Sequence, residues 1–164
     1  MRERELLKAV AEYTVAEGVG KEAARERVAK ILAELDPEKA RKRGLEDVAR
    51  QVLMELGMPF NLKGNERLVC ALAMAAQEPS VVSAITKNLY PEVAKRFAET
   101  TSMTERNIRS AIERTFERGR ADALEHYFGN AVDWENGKLA NKAFITRVAG
   151  IVRRRAGMEE GYGL

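Results

Sequence analysis

The sequence contains few of the residues that form disulfides, metal sites or β-sheets. Among its 164 residues are one cysteine and one histidine, and aromatic residues make up 6%. A single cysteine excludes an intramolecular disulfide, and the apolar neighbours of Cys70 indicate a buried thiol that packs as a small hydrophobe. Ala, Leu, Glu, Arg and Lys are abundant, and these residues favour helices over strands. We therefore expect an all-α fold.

Long apolar runs are also missing. No apolar segment approaches the ~20 residues that a membrane-spanning helix requires, and the charged start Met1–Glu5 has no secretion-signal core. We expect a cytoplasmic protein without a membrane partner.

The sequence shows no recognisable catalytic or metal-binding pattern. His126 and Cys70 lie in different segments, and no zinc-ligand spacing, phosphate-binding glycine loop or nucleophile elbow is present. We therefore expect neither an enzyme nor a bound cofactor or metal.

Charge gives a weak indication of the partner. The chain has 28 basic and 25 acidic side chains, a net charge of +3 and a pI near 9.1. Because the two signs are interspersed along the whole chain, no domain-wide basic surface is expected. Any face that binds nucleic acid must therefore be local.

Apolar residues recur at helical spacing along most of the chain. Asp36-Pro37 is a favourable helix start, whereas Gly44, Pro79 and Tyr90-Pro91 are expected to stop or break helices. We predict a two-helix N-terminal extension over residues 1–45, a compact multi-helix domain over 46–155 and a flexible tail over 156–164. The first predicted helix is defined by Leu6, Val10 and Tyr13 and stops near Gly18-Val19-Gly20. The apolar residues that mark the other predicted helices fall within Ala24–Leu35, Val48–Leu56, Leu68–Ala75, Val81–Leu89, Val93–Phe97, Ser102–Arg118, Leu124–Phe128 and Phe144–Val152.

Residues 91–118 have the pattern of a helix-turn-helix. A short helical segment ending at Phe97 and a long one starting near Ser102 are separated by a tight polar turn over residues 98–101. In such motifs the second helix can lie in the major groove of DNA. Ser102-Met103-Thr104-Glu105 fits a capping box, with Ser102 as the N-cap residue.

The second helix of this motif has two different faces. Projection at helical periodicity predicts one apolar face, on which Ile108 and Ile112 pack, and an opposite face that displays Arg106 and Arg109 near the N-terminal end. Arg can donate two hydrogen bonds to guanine, and Glu105 can accept one from cytosine. The pattern is also explained by a capping role for Glu105 and by ion pairs within a solvated helix face.

Several stretches resemble the C-terminal DNA-binding effector domain of the sporulation response regulators (stage zero sporulation protein A). The resemblance covers roughly residues 46–155. Its main segments are Leu56–Pro59, Leu62–Gly64, Ser83–Phe97 and Glu105–Glu113, followed in order by Arg118-Gly119, Asp122, Phe128-Gly129, Val132, Asn141, Phe144-Ile145 and Val148-Ala149.

This resemblance implies a helical domain that binds double-stranded DNA at promoter boxes as a transcriptional regulator. It implies base reading by Glu105 and Arg106, with Arg109 in support. It also implies a phosphate contact at Lys63-Gly64. We add Ser102 and three basic residues as candidate backbone contacts, although a solvated face explains the basic residues nearly as well: Lys87, Lys95 and Arg96.

The resemblance further implies a contact between the segment after Gly119 and an RNA polymerase sigma subunit. Arg120, Ala123, Glu125 and His126 depart from the family pattern there.

The start of the chain differs from the family pattern. The receiver domain of the family needs alternating strands and helices, whereas residues 1–45 have a helical pattern, and none of the four Asp residues ends an apolar strand. We therefore expect no control by aspartyl phosphorylation of this chain. The N-terminal helices are expected to pair two subunits, alone or only on DNA, to pack onto the effector domain or to bind another protein. The alternative function is an interaction module that has lost DNA binding and antagonises a full-length regulator.

Overall fold

The structure is a computed structural model that describes residues 20–129 and 139–158, together with Lys8, Glu12 and Gly18. Within these residues it contains seven α-helices and no strand, so the predicted all-α fold is confirmed. A short 3-10 turn occupies Pro79–Val82. The helices are α1 (Lys21–Leu35), α2 (Pro37–Glu55), α3 (Lys63–Gln77), α4 (Leu89–Arg96), α5 (Thr101–Arg118), α6 (Ala121–Phe128) and α7 (Asn141–Arg155).

The chain divides into two compact units, Met1–Arg43 and Gly44–Leu164. The first unit includes α1, on which Val28 and Ile31 are half-buried. The helix predicted over Leu6–Tyr13 lies almost entirely outside the described residues.

Helix α2 begins as predicted and ends later than predicted. The Asp36 carboxylate accepts a hydrogen bond from the backbone N–H of Lys39 at 3.0 Å, which is the geometry of an N-cap. The prediction that Gly44 stops or bends the chain is wrong, because α2 continues through it to Glu55. A glycine inside a helix costs about 1 kcal/mol relative to alanine, and the good helix formers around it offset that cost.

The second unit is built around α3. Helix α3 is buried on most of its surface between Leu68 and Ala76 and packs chiefly against α5 and α7. A helix that is apolar on nearly all sides occupies the middle of a fold. Phe116 of α5, Phe128 of α6 and Phe144 of α7 form an aromatic cluster with ring centroids 5.2–6.2 Å apart, which joins these three helices.

The region before α4 differs from the prediction. The helix expected over Val81–Leu89 is instead the 3-10 turn followed by further turns over residues 83–88. The expected break at Tyr90-Pro91 is also wrong, since both residues lie in the first turn of α4. Proline is tolerated there because its missing N–H would have no helical acceptor.

The end of α7 carries a glycine cap. Gly157 has φ 68°, and the backbone N–H of Met158 bonds to the Arg153 carbonyl at 3.0 Å. Met158 also packs against the core. The rest of the predicted flexible tail, residues 159–164, lies outside the described residues. No helix in the described part of the chain is both long enough and apolar enough to cross a membrane.

Candidate nucleic-acid interface

Helices α4 and α5 and the turn between them form the predicted helix-turn-helix. On the inner face of α4, the side chains of Leu89 and Val93 are completely buried. The helix ends where the Phe97 N–H bonds to the Val93 and Ala94 carbonyls. Ala98 then adopts φ 51°, a left-handed conformation that is uncommon for a residue with a Cβ atom.

The start of α5 corrects the predicted capping box. Helix α5 begins at Thr101 and not at Ser102, and the N-cap residue is Thr100. The Thr100 hydroxyl accepts a hydrogen bond from the Met103 N–H at 3.2 Å. Ser102 therefore lies inside the first turn, where it is exposed. The sequence offered several hydroxyl residues in a row, and Glu105 favoured the wrong one because its spacing fits a capping box.

The predicted division of α5 into two faces is confirmed. Thr104, Ile108, Ala111, Ile112 and Thr115 are at most 1% exposed. The opposite face is exposed and consists of Ser102, Arg106, Arg109, Ser110, Glu113 and Glu117.

The N-terminal turn of α3 meets α5 at unusually short range. Gly64 is buried there, and a Cβ atom built on it would lie 1.9 Å from the Asn107 carbonyl oxygen and 2.7 Å from the Ala111 side chain. Only glycine fits at this distance. The contact places the Lys63-Gly64 segment directly beside the middle of α5.

An ion pair joins α3 to the turn of the helix-turn-helix. The Arg67 guanidinium donates to the Glu99 carboxylate through Nε at 3.2 Å and Nη2 at 2.9 Å, and its Nη1 donates to the Lys63 carbonyl at 3.0 Å. The Thr104 hydroxyl donates to the same carboxylate at 2.7 Å. Hydrogen bonding from Arg67 lowers the pKa of the Glu99 carboxyl, although burial opposes that change.

A second set of ion pairs joins α2 to α3 and α4. The Arg96 guanidinium at the end of α4 pairs with the buried Glu46 carboxylate of α2, which raises the pKa of Arg96. Arg50 of α2 pairs with Glu66 of α3 at 2.9 Å and with Asp47 at 3.0 Å. Arg96–Glu46 attaches the end of α4 to α2, and Arg67–Glu99 attaches the turn to α3.

The three predicted base-reading residues have different surroundings. Glu105 and Arg109 form an ion pair with each other at helical i,i+4 spacing. Both line a groove of about 690 Å³ beside α5, together with Ile85, Tyr90 and Asn141. Asn141 Nδ2 donates to the Tyr90 hydroxyl at 3.0 Å and so links α7 to α4.

Arg106 differs from Arg109 because its side chain has no partner among the described residues. It is exposed, and it lies next to Glu105 outside the groove lining. Its guanidinium donors are therefore available to a ligand without breaking an ion pair to any of those residues.

The predicted backbone contacts are distributed over several elements. Lys63 is exposed at the first position of α3, where the backbone N–H groups of Lys63 and Gly64 have no acceptor within the helix. Lys87 is exposed in the turns before α4, and Lys95 near the end of α4 pairs with Glu92 at 2.7 Å. Arg96 is the exception, because Glu46 holds its guanidinium.

Several of these contacts were not predicted from the sequence. The sequence gives no sign that Arg67, Glu99 and Glu46 form ion pairs. Arg67 and Glu99 are 32 residues apart, and Glu46 and its partner Arg96 are 50 residues apart. No local pattern identifies such pairs. The described residues contain no cluster of His, Cys, Asp and Glu side chains that could hold a metal ion.

The chain was compared with known protein families. Residues 49–152 match the family model described as "Sporulation initiation factor Spo0A C terminal". The match covers more than half of the chain and confirms the resemblance predicted from the sequence. It includes the whole helix-turn-helix and the start of α3, while residues 1–48 precede it.

Proposed function

Because the chain belongs to the Spo0A C-terminal family of DNA-binding sporulation regulators, we propose that it is a sequence-specific regulator of transcription. In this proposal α5 enters the major groove of double-stranded DNA. The observation that carries the proposal is the exposed guanidinium of Arg106, which lacks a partner among the described residues and lies in the second turn of a capped helix with a fully buried opposite face.

Base reading is assigned to Glu105, Arg106 and Arg109. Arg106 donates two hydrogen bonds to a guanine edge, an interaction worth roughly 1–3 kcal/mol of discrimination. The ion pair with Arg109 orients the Glu105 carboxylate, which can accept from a cytosine amino group on a neighbouring base pair.

Phosphate contacts hold the domain in register on the duplex. We assign these contacts to the N-terminal turn of α3 and the first turn of α5, since the N–H groups at helix starts favour anions, and to basic side chains in α4 and in the turns before it. In Arg96, Nη1 and Nη2 bond to Glu46, and any phosphate contact there would use the remaining donors. The assigned residues are Lys63, Gly64, Lys87, Lys95, Arg96 and Ser102.

Two further contacts are proposed for partners other than DNA. The segment after Gly119 is proposed to contact an RNA polymerase sigma subunit, and four of its residues depart from the family pattern: Arg120, Ala123, Glu125 and His126. Residues 1–45 are proposed to pair two subunits, alone or on DNA. Sedimentation with and without the duplex tests the pairing, and a monomer under both conditions contradicts it.

Control by aspartyl phosphorylation of this chain is not part of the proposal. Asp36 caps α2, Asp47 pairs with Arg50, and Asp122 pairs with Arg120 at 2.8 Å. Asp133 lies outside the described residues. Each described Asp therefore has a structural partner, and none belongs to a group of side chains that could hold a metal ion.

Selection of bound sequences from a random pool of duplex DNA tests the proposal. A DNA-reading domain enriches a defined motif, and its affinity falls as salt concentration rises because phosphate contacts release counterions. Lys95→Ala is expected to weaken binding to all sequences alike and to reduce the salt slope by about 1. No enrichment, with salt-independent or absent binding, supports instead the antagonist that has lost DNA binding.

A further inference from the structure

We propose that Arg67 and Glu99 are a positioning pair that fixes α5 relative to the start of α3, and that this pair sets the sequence discrimination of the interface. The proposal rests on the proposed function, because it assigns a role within the same DNA-binding site. Neither residue is assigned a DNA contact.

The pair is largely removed from solvent. The side chain of Glu99 is 5% exposed and that of Arg67 is 18% exposed. Nε and Nη2 of Arg67 both bond to the carboxylate, and the guanidinium carbon lies 4.4 Å from the centroid of the Phe97 ring. Stacking together with two-point hydrogen bonding restricts the guanidinium to one orientation. A lysine ammonium at this position would not be restricted in this way.

The same two side chains contact the start of α3, the turn and the start of α5. Arg67 holds the carbonyl of Lys63 in the first turn of α3, and Glu99 accepts from Thr104 in the first turns of α5. Glu99 itself belongs to the turn. One ion pair therefore links the proposed phosphate-binding segment to the proposed base-reading helix.

The ion pair adds a directional constraint to the packing of α5. Contacts of Ile108 and Ile112 with the core are apolar and non-directional, whereas the hydrogen bonds of Arg67 and Glu99 have defined donors and acceptors. Hydrogen bonds to base edges need donor–acceptor distances of about 2.7–3.2 Å and good alignment. Ala98, next to Glu99, also has an unfavourable φ of 51°, and such conformations persist only where the surroundings determine them.

The chain offers a control ion pair away from the turn. Arg155 of α7 donates to Glu55 of α2 at 2.7 and 2.8 Å, so it also joins two helices through two hydrogen bonds. This pair is more exposed, at 36% and 44% of the two side chains. It touches neither the turn nor α5 in any described contact.

The experiment compares the full-length chain with Arg67→Met, Arg67→Lys, Glu99→Gln and Arg155→Met. For each, affinity is measured for the duplex enriched by the wild-type chain and for a shuffled duplex of equal length. Arg67→Met is expected to lower the ratio of the two affinities about tenfold, or about 1.4 kcal/mol. Arg67→Lys should lower the ratio less, and Arg155→Met should leave it unchanged while reducing the urea midpoint of unfolding.

The outcomes separate the two proposals. A wild-type chain without duplex binding contradicts the proposed function itself. The positioning role alone is overturned if the wild-type chain discriminates between the two duplexes and the folded variants Arg67→Met and Glu99→Gln keep the wild-type ratio of affinities. If Arg67→Met fails to fold, the ratios for Arg67→Lys and Glu99→Gln decide in the same way. Equal loss of ratio in Arg155→Met would also overturn the proposal, since any lost ion pair would then suffice.

Discussion

Arg106 and Arg109 lie three residues apart on one helix, yet their surroundings differ. Arg109 already has a carboxylate partner, so its use by DNA must either break that pair or keep it as an orienting contact. Arg106 has no such partner among the described residues. At the residue scale, Arg106 is therefore the side chain whose removal should change binding without disturbing the free protein.

The Glu55 carboxyl gives a pH-dependent prediction at the same scale. Hydrogen bonds from Arg155 and then Tyr127 lower its pKa from 4.5 to about 2. A lowered folded-state pKa means that the ionised form stabilises the fold at pH above about 4.5, and this contribution is lost as pH falls towards 2. Because the group is partly exposed, the contribution is small.

Glu55→Gln should flatten the dependence of the free energy of unfolding on pH within that interval. Urea titrations at several pH values measure this. In the Arg155→Met background, Glu55→Gln should have a much smaller effect, since the main partner is already gone. A pH dependence that is the same in the wild type and in Glu55→Gln would contradict the assigned ion pair.

At the scale of helices, the corrected start of α5 leads to a stability prediction. Thr100→Ala removes the hydroxyl that accepts from the Met103 N–H and should cost about 1 kcal/mol of unfolding free energy. Ser102→Ala is the matched control, because Ser102 lies inside the helix, and it should change stability by no more than about 0.5 kcal/mol. If thermal unfolding showed a larger loss of stability for Ser102→Ala than for Thr100→Ala, Ser102 would be the N-cap residue.

Two glycines in helices should respond oppositely to alanine. Gly64→Ala places a Cβ 1.9 Å from a backbone oxygen of α5, so α3 and α5 must separate and the fold should be strongly destabilised. Gly150→Ala in α7 meets nothing within 4 Å and should stabilise the chain by about 0.5–1 kcal/mol. Urea unfolding of both variants tests this, and similar midpoints would contradict the close approach of the helices.

Helix positions were predictable from the sequence where apolar periodicity and local signals agree. The two faces of α5 follow from such periodicity, and the start of α2 follows from Asp36-Pro37. Errors occurred where a breaker residue was overridden by its surroundings. Gly44 lies inside α2, and Pro91 lies in the first turn of α4, where proline is tolerated.

At the scale of the whole molecule, the ion pairs between residues far apart in the chain could not be predicted from the sequence. The contacts Arg67–Glu99 and Glu46–Arg96 join residues far apart in the chain, and their formation depends on how α2, α3 and α4 pack. The resemblance supplied the family and the candidate base readers. It did not supply the side chains that hold α5 in place.

The central claim is that α5 reads DNA bases through Arg106, and base preference measures this most directly. Random duplex pools should be selected with the wild-type chain and with Arg106→Ala under the same salt conditions, with Arg114→Ala as a control on the C-terminal half of α5. We predict that Arg106→Ala loses preference for guanine at one position of the motif, at a cost of roughly 1–3 kcal/mol, while Arg114→Ala keeps the wild-type motif. An unchanged motif in Arg106→Ala would contradict the account.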